Sequence, residues 1–98
     1  MREATPIPTA RRVVEVVNQR GLHARASARF VNLVQELPAG TNVKVVRDNN
    51  SAAGGSILGL MMLGAARGDT IEIVTSGAHA QDALEKLCAL VADHFGEN

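Results

Sequence analysis

Residues 21–25 read Gly-Leu-His-Ala-Arg, between a valine-rich segment that should be a strand and a segment with helical spacing. The placement puts His23 at, or one residue before, the first turn of the helix. Free backbone N–H groups point out of that end, and the helix dipole makes it an anion site. A neutral imidazole nitrogen is a nucleophile, so it can attack an activated phosphoryl group. The new negative charge would then lie beside the N–H donors. Arg25 adds a permanent cation two residues on, with a planar fork suited to phosphate oxygens. Gly21 allows a sharp turn or a close backbone approach, and Leu22 is an apolar anchor beside the site. From spacing alone the plainer account is favoured: His23 caps the helix and Arg25 is a solvated charge.

A second candidate is Ser56, which follows Gly54-Gly55 and precedes an apolar run. It is a helix N-cap by type and position. The glycines do not make a nucleotide-binding loop, because the lysine of that motif is absent. Ile57, Leu58, Met61 and Met62 lie on the short helix that follows, and so short a helix cannot bury them all. Methionine suits a surface that meets several partners, whereas Leu60 and Leu63 are read as core. His79 and His94 are expected on the surface at the two ends of the last helix. Cys88 falls on that helix's buried stripe and should be inert. No His/Cys/Asp spacing resembles a metal site, and no cofactor is implied.

These residues need elements to hold them. Arg11–Val17 should be a strand, with Val14 and Val16 toward the core. A helix is expected from about Ala24 to Leu37, with Phe30, Val31, Val34 and Leu37 as its apolar stripe. Asn42–Arg47 alternates as a strand, Asp48-Asn49 is a hairpin turn, and a weak strand follows at Asn50–Ala53. A short helix runs from Ser56 to about Leu63. Thr70–Thr75 is another strand, with Ile71 and Ile73 inward. The last helix spans about His79 to Phe95 and buries Ala80, Leu84, Leu87, Cys88, Val91 and Phe95. The order β-α-β-β-α-β-α implies an α+β, two-layer open-faced sandwich, with three helices on one face of a four-stranded antiparallel sheet.

The 98 residues should form one domain over 11–98, preceded by a flexible lead-in over 1–10 that is no signal peptide. Apolar residues make up 46% of the chain, enough for one core, which must be aliphatic because the only aromatics are two Phe. Ten basic and ten acidic residues cancel, which argues against a general nucleic-acid binder. No apolar run is long enough to insert in a membrane. A single cysteine suits a reducing cytoplasm.

The sequence resembles the histidine-containing phosphocarrier protein family (HPr) of the bacterial phosphotransferase system. The family's active-site pattern, Gly-Leu-His-x-Arg-Pro-Ala, corresponds to Gly21-Leu22-His23-Ala24-Arg25-Ala26-Ser27. Gly54-Gly55-Ser56-Ile57-Leu58-Gly59-Leu60 matches its regulatory-serine segment, and Leu63-Gly64-Ala65 and Gly68 continue the match. The resemblance covers essentially residues 11–95. It implies a carrier that takes a phosphoryl group on Nδ1 of His23 from enzyme I and gives it to an enzyme IIA-type protein, with Arg25 stabilising the phosphate. It also implies that HPr kinase/phosphorylase could use Ser56. The chain would be a monomer, covalently modified but without turnover of its own.

The departures bear on partners. Ala26 stands where most members have proline, and Asn32, Gly55 and Gly59 occupy positions that often carry lysine in sugar-system members. Docking would then rest on an apolar patch of Leu22, Ile57, Leu58 and Met61. Ala26-Ser27 and Met61-Met62 look more like the nitrogen-related branch and its α-proteobacterial relatives, which implies a regulatory role. Two alternatives stay open: a regulatory binding module that does not use His23, and a small acylphosphatase-type hydrolase.

Overall fold

The computed structural model describes residues 7–97. Strand β1 (Thr9–Glu15) leads to α1 (Ala24–Glu36), the hairpin β2 (Asn42–Arg47) and β3 (Asn50–Ala53), α2 (Ile57–Met62), β4 (Thr70–Ser76) and α3 (Ala80–Ala92). A short 3₁₀ segment at His94–Gly96 follows. The four strands form one antiparallel sheet in the order β1-β4-β2-β3, with the helices over one face, as the element order implied.

The core lies between the layers. Val45 pairs with Ile73 at the centre of the sheet, and neither is exposed. Phe30 and Val31 from α1, Leu60 from α2 with Leu63 just after it, and Leu84, Leu87 and Val91 from α3 close over them. Val34 and Leu37, expected in the buried stripe, are half-buried at its edge. Thr75 is fully buried, and its hydroxyl donates to the Ala80 carbonyl at 2.7 Å, joining the end of β4 to the start of α3.

Two element boundaries differ from expectation. Strand β1 is shifted toward the N-terminus, and Thr9 and Ala10, assigned to the lead-in, pair with Ser76 and Thr75. Residues 1–6 of that lead-in lie outside the described residues. The valine-rich run set the expectation, but the partner strand sets the register, and β4 begins only at Thr70. Val16 is held instead by the turn before β4: its N–H donates to Asp69 O at 2.9 Å and its carbonyl accepts from Gly68 N–H at 2.8 Å. The last helix ends at Ala92, not Phe95, because His94, Phe95 and Gly96 have φ of 58°, 54° and 76°. Phe95 is nonetheless fully buried, as its spacing from Val91 required.

The segment 63–69 positions the start of α1. Arg47 spans its two ends, with Nη1 donating to Leu63 O at 3.0 Å and Nη2 to Asp69 Oδ2 at 3.1 Å. The same carboxylate oxygen accepts the Ala66 N–H at 2.9 Å. Ala65 O then accepts the Leu22 N–H at 3.0 Å, pinning the residue before His23. Gly21 has φ of 64°, and a Cβ there would lie 2.4 Å from Ala65 O. Left-handed backbone and backbone contact together exclude a side chain. Gly21→Ala should therefore cost at least about 2 kcal/mol, read as a lower urea midpoint with an unchanged m-value. A variant as stable as the parent would mean that the turn can move away from Ala65.

Candidate functional site

His23 is the N-cap of α1, with extended backbone (φ −75°, ψ −179°), and its ring caps the helix. Nδ1 accepts the Arg25 N–H at 3.3 Å, while Nε2 lies 2.6 Å from Glu97 Oε2. Both contacts are satisfied at once by a neutral ring whose proton is on Nε2. Ser27 is fully buried under the first turn, and its hydroxyl donates to Leu22 O at 3.2 Å. Ala26, in place of proline, is also fully buried, so the helix entry is packed despite the missing ring.

The side chains of His23 and Glu97 are each 17% exposed, so the pair is largely shielded from solvent. Glu97 Oε1 accepts from Asn18 Nδ2 at 2.8 Å, and the same nitrogen donates to Gly21 O at 2.8 Å. Asn18 is fully buried, and its Oδ1 has no partner among the described residues. Turning the amide over would set that oxygen against the carboxylate, so the observed orientation is the one that serves Glu97. The Asn18 hydrogen bond, then the hydrogen bond and charge of His23, hold the Glu97 carboxyl below its ordinary value against the opposing effect of burial.

Sequence reasoning placed His23, Arg25 and Ser56 correctly on their elements. Arg25 is exposed in the first turn of α1, where no acidic residue offsets the dipole. Ser56 caps α2, its Oγ accepting the Gly59 N–H at 2.9 Å. Ile57, Leu58 and Met61 are 41%, 68% and 39% exposed, and Met62 is the most exposed of the group at 78%. Leu22 does not belong with them. It is 5% exposed and packs into the core, because its N–H is drawn onto Ala65. Leu60 and Leu63 are core, as expected. Cys88 is buried, and burial raises its thiol pKa, which suits an inert role. Asn18 and Glu97 were missed. No local pattern marks Asn18, and Glu97 reaches the site from 74 residues away in sequence.

This geometry offers a ring nitrogen lone pair at a cationic helix end, and known proteins share the arrangement's sequence and fold. The family model described as "PTS HPr component phosphorylation site" matches residues 10–93. This chain belongs to the HPr family. The phosphocarrier protein HPr of Neisseria meningitidis is 40% identical over 84 residues, covering 86% of this chain and 92% of its own. The phosphocarrier protein NPr of Shewanella violacea is 38% identical, covering 88% of this chain and 92% of its own. Among solved structures, HPr-C-His from Thermoanaerobacter tengcongensis superposes with a TM-score of 0.83 at 30% identity, covering 91% of this chain and 98% of that one. As an HPr-family member the chain is a phosphocarrier of the phosphotransferase system, not a catalyst with its own turnover.

The hydrogen bond from Asn18 is the largest cause of the lowered Glu97 pKa. Asn18→Ala should let that pKa rise toward the ordinary glutamate value, measured by NMR titration of the side-chain carboxyl. The sign for stability follows. A carboxyl with a lowered folded pKa stabilises the fold at neutral pH, and the contribution is lost as pH falls through the lowered pKa. The stability difference between parent and variant should thus shrink below about pH 4. An unmoved Glu97 titration would assign the shift to His23 instead.

Proposed function

We propose that this chain takes a phosphoryl group on Nδ1 of His23 from phosphorylated enzyme I and passes it to a histidine of an enzyme IIA-type protein. The observation that carries this reading is the orientation of the ring. Nε2 is engaged by Glu97, and Nδ1 is aligned with the first turn of α1, where an incoming phosphoryl group meets N–H donors. Transfer forms an N–P bond at Nδ1 and breaks the donor's N–P bond, the electron pair returning to the donor nitrogen. Arg25 contributes a phosphate-binding cation. In the first turn of a helix a cation is unfavourable for the dipole, so phosphate accounts for it better than stability does.

Enzyme I and the IIA-type partner meet the protein, in this reading, on the exposed apolar side chains of α2: Ile57, Leu58 and Met61, with Met62 added. Lysine is missing at positions 32, 55 and 59, so the rim lacks the charge that steers acidic partners. The sparse rim and the Ala26-Ser27 and Met61-Met62 pairs favour a regulatory, nitrogen-type role in the cytoplasm over bulk sugar uptake. Ser56 is a second modification site for HPr kinase/phosphorylase. A phosphate there would sit at the start of α2, beside the apolar patch, and oppose docking by an acidic partner.

Incubation with phosphoenolpyruvate and enzyme I should add one phosphoryl mass to His23, labile in acid and stable in base. A labelled His23→Ala protein, or an acid-stable label, would remove His23 from the mechanism. Arg25→Ala should slow transfer at least about tenfold while changing stability by no more than about 0.5 kcal/mol. Normal transfer with a large loss of stability would make Arg25 structural.

Affinity for enzyme I should change little between low and physiological salt, since steering is weak. Met61→Asp should weaken it at least about tenfold by placing a charge in a desolvated contact. Ser56→Asp should act in the same direction. Steep salt dependence with no effect of Met61→Asp would move the docking surface to Arg11, Arg12 or Arg29.

A further inference from the structure

The helices cover one face of the sheet, and the other face carries an ordered pattern of charged and apolar side chains. The strand register sets Arg11, Val74 and Lys44 in one row across β1, β4 and β2. Val13, Glu72 and Val46 form the next row. All six point away from the helices, because the residues that alternate with them, such as Val14, Ile73 and Val45, pack on the core. The first row thus reads cation, apolar, cation, and the second reads apolar, anion, apolar. The solvated face of an antiparallel sheet is ordinarily polar. Here Val13 is 61% exposed, and among the described residues it and Ile7 are the large apolar side chains exposed outside α2. Glu72 has Arg11 at 4.0 Å within its own sheet, and Lys44 forms no salt bridge among the described residues.

We propose that a second copy of this chain docks on this sheet face, about a two-fold axis that runs across the strands between the two rows. Rotation about that axis lays each row on the other row of the partner. Glu72 then lies opposite the partner's Val74, flanked by the partner's Arg11 and the partner's Lys44. Those two cations rest their aliphatic stems on Val13 and Val46. Each carboxylate is set between two cations, and each valine meets aliphatic surface. A two-fold axis along the strands is excluded, since over β4 it would set Arg11 against the partner's Lys44. β4 is an interior strand and the two rows flank the axis, so the twist of about 30° between stacked sheets displaces these contacts least. A face of four strands is at the low end of specific interface sizes, so the dimer is weak, with a Kd of roughly 0.1–1 mM. His23 and α2 lie in the helix layer and stay uncovered. The proposal therefore does not depend on the phosphocarrier reading, and it departs from the monomer that the resemblance implies.

The test is sedimentation equilibrium of the full chain at low ionic strength over roughly 0.02–2 mM, a range that brackets that Kd. The mean mass should climb toward that of two chains, and added salt should lower it. Two variants carry the charge test: Glu72→Lys, and Arg11→Glu combined with Lys44→Glu. Each alone should stay monomeric, because like charges then face one another across the axis. Mixed in equal amounts, they should associate at least about tenfold more tightly than either does with itself. All three positions are on the sheet surface, so both variants should melt close to the parent. Amide shifts of the ¹⁵N-labelled parent on dilution locate the contact: residues of β1, β4 and β2 should move, and those of α2 should not. A parent that stays monomeric across the range would overturn the proposal. So would a mixture of the two variants that stays monomeric, or dilution shifts confined to α2, which would place self-association on the apolar helix instead.

Discussion

The Ala65 carbonyl leaves no space for a side chain at position 21 and accepts the N–H of position 22. The start of α1 follows from that contact. With Gly21 left-handed and Leu22 pulled into the core, the chain emerges at His23 in extended backbone and turns into the helix at Ala24. The contact is rigid because the segment that supplies Ala65 is itself clamped. Arg47 bridges Leu63 and Asp69, and Asp69 holds Ala66. A hairpin residue on β2 thus fixes, through one loop, the position of His23. This is why a site on a helix end can be held within the tolerance that group transfer requires.

The local electrostatics are one-sided by construction. The first turn of α1 has no acidic residue to absorb its dipole, and Arg25 adds to the positive end. Such an end is costly when empty and favourable when an anion sits on it. Among the described residues, the one carboxylate brought to His23 approaches from the Nε2 edge, away from the helix end. Cation and anion are therefore sorted to opposite edges of a single ring. The surrounding surface carries little charge of its own at positions 32, 55 and 59, and the exposed side chains of α2 are apolar. In the proposed reading, chemistry and docking are handled by different forces: fixed dipoles at the ring, desolvation at the patch.

Much of this was legible in the sequence because the signals were local. Alternation marked β2 and β4, three- and four-residue spacing marked α1 and α3, and Asp48-Asn49 marked the hairpin, where Asp48 does take positive φ. His23 and Ser56 stood at the caps that residue type and position implied. What was not legible depended on partners far along the chain. The register of β1 is set by β4, so a run of valines could not fix its ends. Phe95 sits at a helical spacing from Val91 and is buried, yet the backbone between them has left the helix. Apolar spacing reports which side chains reach the core, not the path the backbone takes to put them there. Leu22 shows the same limit, being core although it stands next to the candidate site residue His23. Asn18 and Glu97 carried no local pattern at all, because their roles exist only once the segment after α3 folds back onto α1.

The central claim is that the fold selects one nitrogen of one ring, Nδ1 of His23, as the phosphoryl acceptor. The most direct measurement is ³¹P–¹⁵N NMR of the phosphorylated protein labelled with ¹⁵N-histidine. The account predicts coupling of phosphorus to Nδ1 of His23, with Nε2 still bearing its proton. Phosphorus bonded to Nε2, the nitrogen engaged by Glu97, or to His79 or His94, would contradict it.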